Sequence, residues 1–114
     1  MENRTVCGAN LDDLKFDGGK HRMDLVPTEA ITALAEILTE GAQTYGERSW
    51  ERGMEWGRVY AALQRHLLKW WAGEDTDIDS GQPHLWHVIT NAAFLVAYEQ
   101  RQIGTDNRQG KGGC

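Results

Sequence analysis

Apolar residues recur at helical spacing in three stretches of this 114-residue chain, and nowhere do they alternate convincingly as along a half-buried strand. The first stretch opens at Pro27 and Glu29, both suited to a first helical turn. Ile31, Leu34, Ala35, Leu38, Ala42 and Tyr45 then share one face, with Glu29, Glu36 and Glu40 on the opposite, solvated one. Gly41 and Gly46 loosen its end. After an aperiodic loop over 47–57, with room for one turn, the second stretch runs from about Arg58 to Ala72 and stops at Gly73. Its stripe is Val59, Tyr60, Leu63, Leu67, Trp70 and Trp71. His66 stands at the edge of that stripe, with Arg65 and Lys69 farther round. The third stretch begins at Pro83, continues to about Gln102 and ends at Gly104. Leu85, Ile89, Ala92 and Val96 form one face. A second face starts polar, with His84, His87 and Asn91, and turns apolar at Leu95 and Tyr98. A helix occupied on two sides packs on both, and a face that turns polar at one end is how a site inside a helical bundle looks.

An all-α fold of three main helices follows, with one helical domain over 15–104. Residues 1–14 show no period and are expected to form a flexible arm. The glycine-rich, polar tail over 105–114 is expected to be disordered. Three short helices leave much apolar surface uncovered, so a homodimer or homotetramer is expected to complete the bundle.

Seventeen acidic against twelve basic residues give a net charge of −5, which argues against a nucleic-acid partner and leaves room for a small anionic ligand in a local basic pocket. No stretch approaches the roughly 20 apolar residues of a membrane span, and no apolar leader opens the chain, so no membrane partner and a soluble, cytoplasmic protein are expected. Cys7 and Cys114 lack metal-type spacing and read as incidental. Trp50, Trp56, Trp70, Trp71 and Trp86 are too many for so small a core, so some should line a ligand pocket or a subunit interface.

Chemistry concentrates between His66 and His87. Three of the four histidines fall within 22 residues, and Glu74, Asp75, Asp77 and Asp79 lie between the first of them and the other two. Carboxylate oxygens and imidazole nitrogens together are ligands for divalent metals. The spacing of His84, His87 and Asn91 puts all three on one helical face. The acidic connection lacks the alternating ligands and central glycine of an EF-hand. Lys15, Lys20 and Arg22 surround Gly18-Gly19 in a basic loop that is not a P-loop, and Arg65 and Lys69 add positive charge near the acidic segment. Triphosphates need that mixture of cations and metal-holding carboxylates. Tyr45 and Trp50, with Arg48 between them, offer base stacking or lid packing. No serine elbow, adjacent His-Asp pair or HExxH motif supports a covalent mechanism or a known hydrolase signature.

Four motifs carry a resemblance: Lys15-Phe-Asp17-Gly-Gly-Lys20-His-Arg22-Met-Asp24-Leu-Val-Pro27, then Gly41-Ala-Gln-Thr-Tyr45-Gly46 with Trp50, then Arg65-His66, then Gly73-Glu74-Asp75-Thr-Asp77 followed by Ser80-Gly81-Gln-Pro-His84-Leu-Trp-His87-Val-Ile-Thr-Asn91. In order and spacing they resemble the N-terminal domain family of dATP/dGTP diphosphohydrolases, common in phages, over about residues 15–100. The resemblance implies kinship with MazG-like all-α nucleotide pyrophosphohydrolases. Those are helical oligomers that bind divalent metal and cleave a nucleoside triphosphate between its α and β phosphates. One departure is visible: where the wider MazG pattern has ExxE and ExxD on its helices, this chain has Arg65-His66 and His84-xx-His87-xxx-Asn91, with its carboxylates in the loop.

The implied roles follow residue by residue. Glu74 and Asp77, with His84 and His87, would hold Mg²⁺ or Mn²⁺, and His66 or Asp75 would act as general base. Lys15, Lys20, Arg22 and Arg65 would hold phosphate oxygens. Asp24, Arg48 and Asn91 would complete the nucleotide pocket, with Tyr45 or Trp50 stacked on the base. The implied activity is cleavage of a dNTP, by expectation a purine one, in the cytoplasm of an infected host if the chain is phage-encoded. The alternative is a non-catalytic protein that sequesters a nucleotide or an immune signalling dinucleotide.

Overall fold

The computed structural model describes residues 18–111. Helix α1 spans Thr28–Tyr45, α2 Trp56–Trp71 and α3 His84–Arg101, with 3₁₀ turns at Met23–Leu25, Ser49–Arg52 and Gln109–Lys111. The expected arm over 1–14, together with Lys15, Cys7 and Cys114, lies outside the described residues. No described helix is long and apolar enough to cross a membrane. The three helices lie where the periodicity puts them, and the punctuation explains their ends. Pro27 and Pro83 sit in extended geometry immediately before α1 and α3. The third helix stops earlier than Gly104, because Gln102 adopts the left-handed conformation (φ 58°) and returns its N–H to the Tyr98 carbonyl.

Helices α2 and α3 form an antiparallel hairpin, and α1 lies on α3. At one end of the hairpin is the core: Trp56, Val59 and Tyr98, flanked by Trp50, Phe94, Leu95 and Ile103. Two long aromatic side chains stitch it to the backbone. The Tyr98 hydroxyl donates to the Trp50 carbonyl at 2.7 Å, and the Trp56 indole N–H donates to the Ile103 carbonyl at 2.9 Å. Both residues thus bury a large apolar body while satisfying their one polar atom.

The inward side of α1 is rotated from the expected face. Ala33 is buried and Leu34, Ile37, Leu38, Gly41 and Ala42 are half-buried, whereas Ile31, Ala35 and Tyr45 of the expected face are exposed. The reason is that α1 leans on α3 alone, so a single narrow flank suffices. Tyr60 and Trp71 of the α2 stripe are likewise exposed.

Residues 105–108 of the tail expected to be disordered return to the start of α2. The first N–H groups of a helix have no acceptor within it, and this segment supplies them for α2. The Thr105 carbonyl accepts the Trp56 N–H at 2.9 Å, and Asn107 Oδ1 accepts the Gly57 N–H at 2.8 Å. The Arg108 guanidinium lies 5.0 Å from the Trp56 ring centroid. This return needs backbone to touch backbone. Gly53 and Gly104 both have positive φ (88° and 80°), and a Cβ on Gly104 would collide with the Met54 carbonyl.

The tyrosine bond can be tested directly. Tyr98→Phe leaves the Trp50 carbonyl without its donor and should lower the unfolding free energy by about 1–3 kcal/mol, while Tyr98→Ala adds a cavity and should cost about 3–5 kcal/mol. Urea titrations measure both, and a Tyr98→Phe midpoint equal to that of the parent would contradict the assignment.

Candidate functional site

Because α1 meets α3 and scarcely touches α2, an open cleft of about 850 Å³ remains among the three helices. Its two ends differ in chemistry. Tyr45, Trp50, Met54 and Phe94 make an aromatic end, where Trp50 stacks on Phe94 with centroids 5.3 Å apart. His66, His87, Asp79 and Ser80 make a polar end. Asn91, half-buried, stands one helical turn from His87 and one from Phe94, so it faces the middle of the cleft.

The polar end is built by the connection between α2 and α3. Gly73, at φ 105°, turns the chain out of α2, and the Glu74 N–H still bonds back to the Lys69 carbonyl. The connection then closes on itself. The Asp77 N–H donates to the Gln82 carbonyl, the Gly81 N–H to the Asp77 carbonyl, and the His84 N–H to the Asp75 carbonyl, all between 2.7 and 2.9 Å. This tight fold turns the Asp77 side chain inward, where it is 8% exposed and accepts the Ser80 N–H at 3.1 Å. Asp75 and Asp79 remain exposed.

Three imidazoles meet that carboxylate. His84 is fully buried, and both of its ring nitrogens are engaged: Nε2 with a Glu74 carboxylate oxygen at 2.6 Å, Nδ1 with His66 Nδ1 at 2.9 Å. The His66 ring stacks on His87 at 4.4 Å with 13° between planes. His87 Nε2 lies 2.8 Å from the Ser80 hydroxyl and 3.9 Å from Asp77 Oδ2. Ligand atoms of His66, Asp77 and His84 all fall within 4.8 Å of one another.

The electrostatics favour the neutral form of His66 and His87 beside an ionised Asp77. Burial holds the His66 pKa below its ordinary value, helped by His87, His84 and Lys69 and opposed by Asp77. Burial also lowers His87, with Asp77 and Glu40 working against it and His84 with it. For Asp77, burial alone would raise the pKa; hydrogen bonds from Ser80, with His66 and His87 nearby, outweigh it and bring the carboxyl below its usual range. Imidazole nitrogens of His66 and His84 and a carboxylate oxygen of Asp77 converging on one point are a donor set that suits a divalent cation, so the residues fit such an ion.

The structure thus gathers His66, Glu74, Asp77, His84 and His87 and lines the cleft with Tyr45, Trp50 and Asn91. Among the described residues, it does not bring the expected cations there. Lys20 is exposed, and Arg22 pairs with Asp24 through two bonds of 2.9 and 2.8 Å across the Met23–Leu25 turn. Arg65 is exposed on α2, and Arg48 reaches only Glu51 at 3.4 Å. None of Lys20, Arg22, Asp24, Arg48, Arg65 or Asp75 lines the cleft, and Asp75 contributes its backbone carbonyl to the loop. Several lining residues escaped the sequence reading, among them Phe94, which lies on the second face of α3 between Asn91 and Leu95. Arg52 lies in an aperiodic loop without a motif, and Glu40 sits on the face read as solvated, though it accepts a bond from the Gln82 amide at 2.5 Å. Ser80, three residues after Asp77, carried a usable signal, since an aspartate commonly accepts a nearby backbone N–H in such a turn.

The lowered histidine values set a stability window for the metal-free protein. The unfolded chain takes up protons on His66 and His87 before the folded one does, so stability rises with pH there. It should be fully present above the ordinary imidazole value of 6.5 and fall as pH drops below it. Urea midpoints from pH 7.5 down to 5 should decline, and should decline less in a His66→Gln, His87→Gln double variant. Parallel profiles for the two proteins would contradict this.

Comparison with known proteins adds a relationship to this geometry. A protein of Salmonella phage PMBT28 called a dATP/dGTP diphosphohydrolase is 28% identical over 96 residues, which cover 84% of this chain and 33% of the relative. The chain therefore spans about a third of the length of that relative. No solved structure matches. The family model described as dATP/dGTP diphosphohydrolase, N-terminal, matches residues 11–108, and the chain belongs to that family.

Proposed function

We propose that this chain is a metal-dependent nucleotide pyrophosphohydrolase that cleaves a purine deoxynucleoside triphosphate to the monophosphate and pyrophosphate. The observation that carries the proposal is the inward cluster of His66, Asp77 and His84, set at one end of a cleft whose other end is aromatic. Membership of the family and the name borne by the phage relative support the same substrate class. A divalent cation on those three residues supplies neutralisation of the phosphate charge. Between Mg²⁺ and Mn²⁺, two imidazoles with one carboxylate suit Mn²⁺ better, since Mg²⁺ prefers oxygen ligands.

The remaining roles fall to side chains along the cleft. Tyr45, Trp50 and Phe94 receive the base, and Asn91 meets the middle of the nucleotide. Arg52 neutralises part of the phosphate chain. His87, kept unprotonated by burial and held through Nε2 by Ser80, accepts the proton of the attacking water. That water adds to a phosphorus and the bridging oxygen between the α and β phosphates leaves with the pyrophosphate. The outward Tyr60, Leu67 and Trp71 of α2, together with the exposed Val96 of α3, support a homodimer or homotetramer.

A second function, holding a nucleotide intact, is favoured by one observation: among the described residues, Arg52 is the sole lysine or arginine lining the cleft. A triphosphate site normally gathers several cations. Purified protein incubated with each dNTP and Mn²⁺ or Mg²⁺ separates the two. Hydrolysis predicts equimolar monophosphate and pyrophosphate, faster with dATP or dGTP than with pyrimidines, and at least about 100-fold slower in Asp77→Ala. Calorimetric binding of a dNTP with the nucleotide recovered unchanged would establish capture in its place.

A further inference from the structure

The geometry points to Glu74 as a positioning residue that sets which nitrogen of His84 faces a cation, and not as a ligand of that cation; this rests on the metal-centre proposal above. An imidazole has two nitrogens and, when neutral, one proton. Glu74 occupies Nε2 of His84 at 2.6 Å, so the nitrogen left for a cation is Nδ1, which already faces His66 Nδ1 at 2.9 Å. With the proton on Nε2, directed at the carboxylate, Nδ1 presents a lone pair toward His66. The other tautomer would set the Nε2 lone pair against an anion and put the proton between the two Nδ1 atoms. A carboxylate behind a ligating histidine fixes tautomer and ring orientation in this way.

The chain holds Glu74 for that task. Its N–H is tied to the Lys69 carbonyl at the end of α2, directly after the left-handed turn at Gly73. Its side chain is 50% exposed while His84 is 0% exposed, so the carboxylate reaches a buried ring from the rim of the cluster. The cluster of His66, Asp77 and His84 does not include Glu74. Sequence proximity to Asp77 makes the two carboxylates look alike, but Glu74 bonds Nε2 of His84 while Asp77 belongs to the cluster that leaves Glu74 out.

The test uses the full chain. Nitrogen-15 NMR of the metal-free protein should find His84 as the Nε2–H tautomer, and Glu74→Ala should convert it to a mixture of the two. Calorimetry with Mn²⁺ should show a 10- to 100-fold weaker affinity for Glu74→Ala, roughly the loss typical of such outer partners. Glu74→Gln, whose amide oxygen still accepts the Nε2 proton, should keep most of the affinity and the tautomer even if Glu74→Ala folds poorly. Unchanged tautomer and affinity in Glu74→Ala would overturn the inference. So would equal losses of affinity in Glu74→Ala and Glu74→Gln, the pattern of a direct ligand. Failure of the parent protein itself to bind Mn²⁺ would sink the metal centre, leaving the NMR result to decide what Glu74 does to the ring.

Discussion

A histidine with no solvent contact must find partners for both ring nitrogens inside the protein, and the polar end of this molecule is arranged around that requirement at His84. One partner comes from the residue that follows the turn out of α2, the other from a ring on α2 itself. His84 is also the first residue of α3, so satisfying it locks the start of one helix to the end of the other. The connection between them has little freedom left. Asp75 and Gln82 supply carbonyls to the backbone N–H groups of His84 and Asp77, and Asp77 is delivered to the cluster as a consequence.

The opposite end of the hairpin solves a similar problem with apolar bulk. Trp56 and Tyr98 fill the space between helices and spend their single polar atoms on backbone carbonyls. Residues 105–108 cap α2 from outside, through a glycine pair that lets two backbone segments meet. Rigid at both ends, the hairpin presents one side of α3 to α1 and leaves the cleft between them. Its position is therefore set by packing in which Trp50 and Phe94 alone among the core residues also line the cleft, each touching the core on one side and the cleft on the other.

Much of this was legible in the sequence because it follows from periodicity. The three helices, the two prolines that open α1 and α3, and the polar start of the second face of α3 are local properties of the chain. The convergence of His66 with His84 and His87 was partly legible, since the three rings flank one acidic connection and two of them share a helical face. What escaped depended on distance through space. The charged loop at Lys20 and Arg22 lies adjacent in sequence to α1 yet pairs within itself through Asp24. Among four acidic residues in one connection, only a backbone turn selects Asp77 for burial, leaves Asp75 outside and puts Glu74 behind a ring. The tail looked featureless because its role lies in carbonyl and amide groups that complete another element, and composition carries no trace of that.

The most direct measurement of the central claim is proton NMR of the histidine rings during addition of substoichiometric Mn²⁺. His21 is exposed and far along the chain from the cluster, so it serves as an internal control. Selective broadening of His66, His84 and His87 with a sharp His21 signal is the expected result. Equal broadening of all four rings, or broadening of His21 alone, would contradict a cation site built on His66, Asp77 and His84.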